Sequence, residues 1–412
     1  MSAVRTNPSE FVAPEVAHTI HQRSLGVAIL FGAASLVTAF IPATRDQFFH
    51  AYLLGFMLWL GVTLGSMAIL MIQHLTGGMW GMVIRRQLEA ASRALPLMAL
   101  LFVPILFGMR HLYVWTVPEE VAKDPHLVEI TGAYLKITGS GSFLYLDGYV
   151  GRAVIYFAIW LGIAFLLNRW SAEQDSPPVQ NLSPRFRKIA APGLILYAFT
   201  ITFAVIDWVM SLDPHWISTI YGFIFIAGEL LSALCLMVVV ERILVRYQPT
   251  ASLLKPKEVH DHGKLILTFV LLWAYFSFSQ LLIIWAGNLP SEIRFFTRRL
   301  YSGWQNIALL LVILHFAVPF LMLLSRRFKR DAKTLVWLAS GLIVMRFVDL
   351  YWYIEPTFHK TIFVNWLDFV VPVAIGGVWL AVFFHNLRSR PLLPVYDLHA
   401  QEFLDYVGAV HG

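Results

Sequence analysis

The residues of this sequence that could do chemistry are ionisable side chains inside long apolar runs. The stretch 203–229, FAVIDWVMSLDPHWISTIYGFIFIAGE, contains Asp207 and Glu229, and other apolar runs contain His74, Glu241, His315, Arg346 and Asp349. An ionisable group at the centre of a bilayer costs about 2.5–3.5 kcal/mol on insertion scales, so such groups usually pair or conduct. The chemistry that these residues indicate is proton transfer.

The elements that must position these residues are membrane-spanning helices. The 412-residue chain is 58% hydrophobic and 14% charged, and its mean hydropathy is +0.67. An apolar run of about 20 residues is long enough to cross the hydrocarbon core as a helix. The sequence therefore predicts an all-α integral membrane protein with ten transmembrane helices, at 24–42, 49–75, 94–116, 149–168, 190–213, 217–245, 263–287, 303–324, 333–353 and 366–386.

The distribution of Lys and Arg predicts the topology. These residues are concentrated in the two terminal tails and in alternate loops, so the positive-inside rule places both termini in the cytoplasm. The membrane domain is then 24–386, between cytoplasmic tails at 1–23 and 387–412. We expect the basic groups of the inner loops, such as Arg85, Arg86 and Arg93, to face anionic lipid.

Several classes of function are excluded. The net charge of +6 follows the topology and does not indicate a nucleic-acid partner. Cys235 is the only cysteine, which excludes disulfides and an iron–sulfur cluster held by this chain. A haem-bearing cytochrome b needs histidines at matched depth on facing helices, and His315 has no equal at its depth. No nucleotide-binding or catalytic-triad motif occurs.

Helices two to five and six to nine show a weak internal repeat. It predicts two four-helix bundles, about 49–213 and 217–353, flanked by helices one and ten. Glycines stand six apart in helices two and six, and an acid stands six residues before an acid-Pro pair in helices five and nine. The residues concerned are Gly55 and Gly61, Gly222 and Gly228, Asp207 with Asp213-Pro214, and Asp349 with Glu355-Pro356.

The depths of the ionisable groups predict a proton path. From the outside inwards, its members are Asp207 or Asp349, then Glu229 and His315, then His74 or Glu241. Glu229 lies about 18 Å into helix six at 1.5 Å per residue, and its own helix offers no basic neighbour. The alternative is that each acid is a buried structural partner. Arg346 and Asp349, three apart, fit a static ion pair as well as a relay.

The outer turn Asp213-Pro214-His215-Trp216 has the composition of a tight turn and is interpreted as structural. Six tryptophans at similar depth indicate an aromatic belt at the outer membrane surface. They are Trp208, Trp216, Trp285, Trp304, Trp352 and Trp366.

Four stretches of the chain are similar to a known family. LGSMAILMIQHLTGGMWGMVIRRQLEAASRALPL, YLDGYVGRAVIYFAIWLGIAFLLNRWS, IDWVMSLDPHWISTIYGFIFIAGE and FSQLLIIWAGNLPSEI resemble the ActF subunits of bacterial alternative complex III, a quinol:cytochrome c oxidoreductase. These subunits belong to the polysulfide-reductase-type (NrfD-like) membrane proteins. The resemblance covers nearly the whole chain.

The resemblance implies partners and a location. It implies a sister subunit of NrfD-like fold, an extrinsic iron–sulfur protein and multihaem c-type cytochromes, in the bacterial cytoplasmic (inner) membrane. Haems and clusters then belong to the partners, and this chain binds none of them. Besides these subunits its contacts are lipid and quinone, and the resemblance leaves open whether a quinone such as menaquinone binds to this chain. In the family the quinol site lies at the outer end of a four-helix bundle and is attributed to the larger sister. His111, Asp147 and Arg152 lie at that level here.

The sequence thus predicts a membrane subunit of a quinol oxidoreductase that supports quinol oxidation and carries protons through buried carboxylates. The resemblance leaves open whether the subunit is catalytic. Two alternatives remain. A secondary transporter also uses duplicated bundles and charged groups at the midplane. A purely structural membrane anchor would need its buried charges only to hold helices together.

Overall fold

The computed structural model describes residues 8–137, 148–248 and 250–409. Ten helices in this part are long and apolar enough to cross a membrane, as the sequence predicts. We number them α1 to α10, and they span Glu15–Phe40, Pro42–Thr76, Met79–Phe107, Tyr149–Glu173, Ser183–Trp208, Tyr221–Leu244, Pro256–Gly287, Trp304–Leu324, Ala332–Phe358 and Leu367–Arg388.

Shorter helices connect or follow the ten long ones. The short α-helices are Met109–Leu112, Pro118–Val121, Pro125–Ala133, Thr250–Leu253, Pro290–Arg299, Arg326–Arg330 and Leu398–Ala409. Within the described residues, the one contact of β type is an isolated bridge between Gln180 and Asp397. The chain is therefore helical throughout its long elements.

Several helices extend beyond the apolar runs that predicted them. α1 begins at Glu15, inside the segment interpreted as a tail, and α2 begins at Pro42. Polar residues can continue a helix past the hydrocarbon core because its backbone hydrogen bonds are internal. α3 differs from its predicted span, 94–116, at both ends: it begins at Met79 and ends at Phe107. Its regular structure is interrupted between Ser92 and Leu95.

α2 and α6 lie at the centre of the helix packing. α2 contacts α3 and α5, and α4 contacts the same two helices; α6 contacts α7 and α9, as α8 does. α2 and α6 also pack on each other. They are the most buried helices, with 94% and 78% of their apolar windows buried, against 22% for α1 and α8. α1 packs along α10, and both contact α2.

Glycines allow α2 and α6 to approach closely. A Cβ on Gly65 would lie 2.3 Å from the backbone oxygen of Glu229, and a Cβ on Gly61 would lie 3.1 Å from its Cγ. Small residues at a helix interface let two backbones come together in this way. The two glycines therefore place the Glu229 side chain in the contact between α2 and α6.

α8 is irregular around His315. A π-helical turn covers Leu311–Ala317, and Pro319 follows it. Proline has no N–H, so the carbonyl of His315 lacks the donor that a regular helix supplies four residues later. The interruption leaves His315 fully buried and turned into the protein.

Both terminal segments lie at one end of the helices, here named the terminal end; the opposite end is the distal end. The N–H of Leu392 donates to the oxygen of Phe11 at 2.7 Å. Phe11 also joins a buried cluster with Leu393, Val395 and Phe403 of the C-terminal segment. The two tails thus form one packed layer.

The tryptophans correct the prediction of an aromatic belt. Trp285 and Trp366 are exposed, at 70% and 50%, as a belt requires. The other four are buried inside the protein, because they fill the space between helices at the distal end; they are Trp208, Trp216, Trp304 and Trp352.

Candidate functional site

Glu229 is the central acid of the structure and is only 1% exposed. The hydroxyl of Tyr197 in α5 donates a hydrogen bond to its Oε2 at 2.6 Å, whereas Oε1 has no hydrogen-bond partner. In the described part of the chain, no cation forms an ion pair with this carboxyl group. Glu229 is therefore buried between α2, α5 and α6 with one oxygen open to a further donor or to a proton.

Arg346 of α9 lies beside Glu229. A Cβ on Gly228, the preceding residue, would be 2.2 Å from Nη1 of Arg346, so the guanidinium passes directly over the α6 backbone. The same Nη1 donates to Oδ2 of Asp349 at 2.5 Å. The ion pair that the sequence suggested between Arg346 and Asp349 is thus present, and it adjoins the Glu229 position.

Asp349 connects this ion pair to His315. Nε1 of Trp273 donates to Oδ2 of Asp349 at 3.2 Å, and the Trp273 ring lies 4.2 Å from the His315 ring, centroid to centroid. Asp349 Oδ1 and both ring nitrogens of His315 have no hydrogen-bond partner. Buried polar groups are normally satisfied, so these atoms indicate a place for water or a ligand.

A cavity of about 500 Å³ adjoins this cluster. Asp349 and Ser277 are polar members of its wall, and the rest is mainly apolar and aromatic. Several lining side chains are more than half exposed, so the cavity opens on the outer surface of the helices; they include Tyr275, Phe278 and Val312. It is bounded by α7, α8, α9 and the helix Pro290–Arg299. An apolar molecule with one or two polar atoms fits such a wall.

Arg299, at the end of the helix beside this cavity, is fully buried. Its guanidinium donates to the backbone oxygens of Trp352 and Tyr353 and lies 3.7 Å over the Phe295 ring. Burial lowers the pKa of Arg299 to about 10. The residue fixes the distal end of α9 and was not singled out from the sequence.

Asp207 is fully buried and fully bonded. Arg152 of α4 donates to it twice, through Nε at 2.9 Å and Nη2 at 2.7 Å, and the Tyr156 hydroxyl donates at 2.8 Å. The Arg152 guanidinium also lies 4.1 Å over the ring of Tyr134. This geometry holds Asp207 as a charged partner, so it favours the structural alternative for this residue.

His74 lies near the terminal end of α2. Its ring stacks on Phe186 at 4.0 Å, and Nε2 has no hydrogen-bond partner. A cavity of about 150 Å³ reaches His74 from the terminal end. Its polar lining includes Gln73, Arg85 and three residues of the C-terminal segment, Asp397, His399 and Glu402. His74 is therefore reached from that side of the molecule.

Arg85 and Arg86 do not face lipid, contrary to the prediction. Both are nearly fully buried, and both pair with Glu89, at 3.0 and 2.8 Å. Arg85 also pairs with Asp397 at 2.5 Å, and Arg86 pairs with Asp175. Burial raises the pKa of Asp175. This network ties α3 to the C-terminal segment, which is why it lies inside the protein.

Glu241 is buried beside His262 of α7. Its Oε2 lies 3.1 Å from Nδ1 of the histidine, and Nε2 of His262 lies 2.8 Å from the backbone oxygen of Trp80. Glu241 thus joins α6 to α7 at the terminal end.

The three residues suggested for quinone contact do not form one group. His111 pairs with the exposed Asp46, and its Nδ1 lies 2.6 Å from Oδ1 of that residue. Arg152 instead belongs to the Asp207 cluster. Asp147 lies outside the described residues. His111 and Arg152 therefore belong to two different ion pairs and do not line one site.

One cluster of potential ligands was missed. His50, Glu355 and His359 meet at the distal end, with one ligand atom of each within 4.8 Å of the others. The sequence signal for this cluster was the spacing of Glu355 and His359. They are four residues apart, at the last turn of α9 and its C-cap, and therefore lie on one face. The acid-Pro pair at 355–356 was interpreted only as a helix end. Burial lowers the pKa of His359, which favours its neutral form.

Ten long apolar helices with charged groups buried between them define the chain as a multi-pass membrane protein. No family model matches it, and no curated protein is similar to it in sequence.

Proposed function

We propose that this chain is a membrane subunit of a bacterial quinol:cytochrome c-type oxidoreductase, of the ActF type within the NrfD-like proteins. It resides in the cytoplasmic membrane with both termini in the cytoplasm. Its partners are a sister subunit of similar fold, an extrinsic iron–sulfur protein and multihaem cytochromes. The chain itself holds no haem or cluster. Its part is to support quinol oxidation and to carry protons.

The observation that carries the proposal is Glu229. It is buried at the contact of α2 and α6, and it keeps an oxygen without a partner, whereas Asp207 and Asp349 are held in ion pairs. An acid that is not fixed by a cation can take up and release a proton. Two-electron oxidation of a quinol releases two protons, so a subunit that supports it needs groups that can carry protons away. A fully bonded anchor residue has no such capacity.

The proton path joins the terminal end to the distal end through Glu229. His74 receives protons through the small cavity at the terminal end, and hydroxyl groups of α2 and α6 lie between it and Glu229, at Ser66 and Ser232. From Glu229 the path continues past the ion pair of Arg346 and Asp349 to His315. The four-helix duplication supplies two similar half-channels, and the ring-like packing of α2–α5 and of α6–α9 supports it.

The quinone contact of this chain is the cavity of about 500 Å³ between α7, α8 and α9. It opens on the surface where lipid would be, and Asp349 in its wall offers Oδ1, which has no partner, as a hydrogen-bond acceptor. A hydrophobic ring with two oxygens matches an apolar cavity with few polar groups. This location replaces His111 and Arg152, which lie in separate clusters.

The first experiment is isolation of the complex. An affinity tag on the C-terminal segment should recover haem-bearing and iron–sulfur subunits from membranes in fixed proportion to this chain. Recovery of the chain alone, with transport activity in vesicles, would contradict the proposal and favour a secondary transporter. Matched interruptions in both halves, which a transporter needs, are absent from the described helices: α8 has a π-helical turn, but its counterpart α4 is regular.

The second experiment tests the proton path. Glu229→Gln keeps the size of the side chain and the bond from Tyr197 but cannot exchange a proton. In the reconstituted complex we expect proton translocation per electron to fall to background while assembly is retained. The control is Glu119→Gln, at an exposed position of the distal connection. An unchanged proton-to-electron ratio in Glu229→Gln would leave only the structural anchor.

A further inference from the structure

The distal end contains a second polar centre that the proton path does not use. His50 lies on α2, and Glu355 and His359 lie at the end of α9. Nε2 of His359 is 3.6 Å from Oε2 of Glu355, and one ligand atom from each of the three residues lies within 4.8 Å of the others. Two imidazoles and one carboxylate therefore surround a space that is large enough for a single metal ion.

The donor atoms in this centre lack partners. Glu355 is fully buried, and neither of its carboxylate oxygens has a hydrogen-bond partner. Nδ1 of His50 is also buried without a partner. Leaving such groups unsatisfied costs about 1–3 kcal/mol each, and more for a charged group. A cation bound between them removes this cost.

The surroundings hold the three side chains in place. Nε2 of His50 lies 3.3 Å from the backbone oxygen of His111, so a proton on Nε2 leaves the Nδ1 lone pair free. The His50 ring also stacks on Phe358 at 3.5 Å. Contacts of this kind, which fix the tautomer and orientation of an imidazole, are typical of metal-binding histidines.

A second layer of polar groups surrounds His359. Gln47 places its Oε1 3.1 Å from Nε2 of His359 and donates from Nε2 to Oδ1 of Asp368 at 2.5 Å. The N–H of Asn365 donates to Oδ2 of the same aspartate at 2.9 Å. Asp368 is therefore bonded and adds negative charge close to the centre without being a ligand. His359 is 25% exposed, which gives an ion a route from solvent.

We propose that His50, Glu355 and His359 form a binding site for a divalent transition-metal ion, most simply Zn²⁺, that fastens α2 to the end of α9. Two histidines and one carboxylate are a usual zinc ligand set, and imidazole ligands select against Mg²⁺ and Ca²⁺. A fourth position remains for water. The site is separate from the Glu229 path and does not depend on the proposed function.

The test uses the detergent-purified full-length protein, within its complex where the complex copurifies. After treatment with a chelator, Zn²⁺ binding is measured by calorimetry, and Co²⁺ binding by its visible absorption. We expect one ion per chain and a rise in the melting temperature when Zn²⁺ is added. Visible bands of tetrahedral or five-coordinate Co²⁺ should appear at the same stoichiometry.

Three variants and one control locate the ion. Glu355→Gln and His50→Ala should weaken Zn²⁺ binding by about 100-fold or more, and Gln47→Ala, outside the ligand set, by about 10–100-fold. His215→Ala should bind as the original protein does, because this histidine pairs with Asp124 in another part of the distal end. Each variant is first shown by gel filtration to be folded.

Two results would overturn the proposal. One is that the folded original protein binds no Zn²⁺ or Co²⁺ after chelation. The other is that Glu355→Gln and His50→Ala bind Zn²⁺ as tightly as His215→Ala. Either result would mean that the cluster of His50, Glu355 and His359 holds no metal.

Discussion

At the scale of single residues, the partners of each buried acid separate structural groups from groups able to exchange protons. Asp207 receives three hydrogen bonds from Arg152 and Tyr156, and Asp349 is paired with Arg346. Glu229 receives one bond, from Tyr197. A carboxylate held by a cation remains charged, because protonation would leave the cation alone in the protein. Glu229 carries no such constraint.

The Asp207 cluster gives a prediction about stability. Arg152→Met leaves the fully buried Asp207 without its cation and should destabilise the protein by about 3–5 kcal/mol. Adding Asp207→Asn should recover a large part of this loss, because the charge is then removed. The measurement is unfolding by denaturing detergent in a double-mutant cycle.

An exposed ion pair serves as the control for this cycle. Lys123 and Glu120 lie 2.7 Å apart with side chains 68% and 48% exposed. Lys123→Met should therefore change the stability by less than about 1 kcal/mol. A similar effect of Lys123→Met and Arg152→Met would contradict the structural role assigned to Arg152.

At the scale of helices, the contact of α2 with α6 determines where Glu229 lies. Gly65 faces the Glu229 backbone so closely that no side chain fits between the helices. An added side-chain atom at Gly65 would collide with the α6 backbone, because neither helix backbone can move aside easily. The glycines six apart indicated an internal repeat and did not predict which helices they contact. In the structure Gly61 faces Glu229 of α6, and Gly228 faces Arg346 of α9.

Replacing Gly65 tests this contact. Gly65→Ala should destabilise the protein by about 1–3 kcal/mol, because the new methyl group overpacks the interface and moves Glu229. Gly162→Ala in α4 is the matched control, since nothing lies within 4 Å of a Cβ at that position. Alanine is favoured over glycine in a helix by about 1 kcal/mol, so the control should be neutral or stabilising. Equal effects of the two substitutions would argue against a close α2–α6 contact.

At the scale of the whole molecule, the two tails and the charged network of α3 close the terminal end. Arg85 and Arg86 pair with Glu89 inside the protein, and Arg85 holds Asp397 of the C-terminal segment. Positive charge at this end is what the proposed cytoplasmic location of the termini requires. These arginines are used inside the protein, however, because they pair there with the carboxylates of Glu89, Asp175 and Asp397.

Cysteine labelling tests the orientation. The one native cysteine, Cys235, is fully buried, so an impermeant maleimide reports introduced cysteines only. Asp405→Cys at the terminal end should react in inverted vesicles but not in intact cells. Lys123→Cys at the distal end should react from the outside. The opposite pattern, or reaction of both positions from one side, would contradict the proposed topology.

The sequence by itself determined the ten helices and which of them contain ionisable groups. Helix length follows from the thickness of the hydrocarbon core, and apolar composition is a local property that can be read along the chain. The depth predicted for Glu229 follows from the same arithmetic, and the spacing of Arg346 and Asp349 allowed an ion pair or a relay without deciding between them. These features needed no knowledge of how helices pack.

Only the tertiary structure decided which groups meet. Arg152 and Asp207 are 55 positions apart, and Gln47 and His359 are 312 apart, so no periodicity joins them. The burial of Trp208 and Arg85 and the position of the 500 Å³ cavity likewise depend on neighbouring helices. A side chain at a given depth has the same sequence signal whether it faces lipid, a charge or a cavity, because its direction is set by packing between helices distant in the chain.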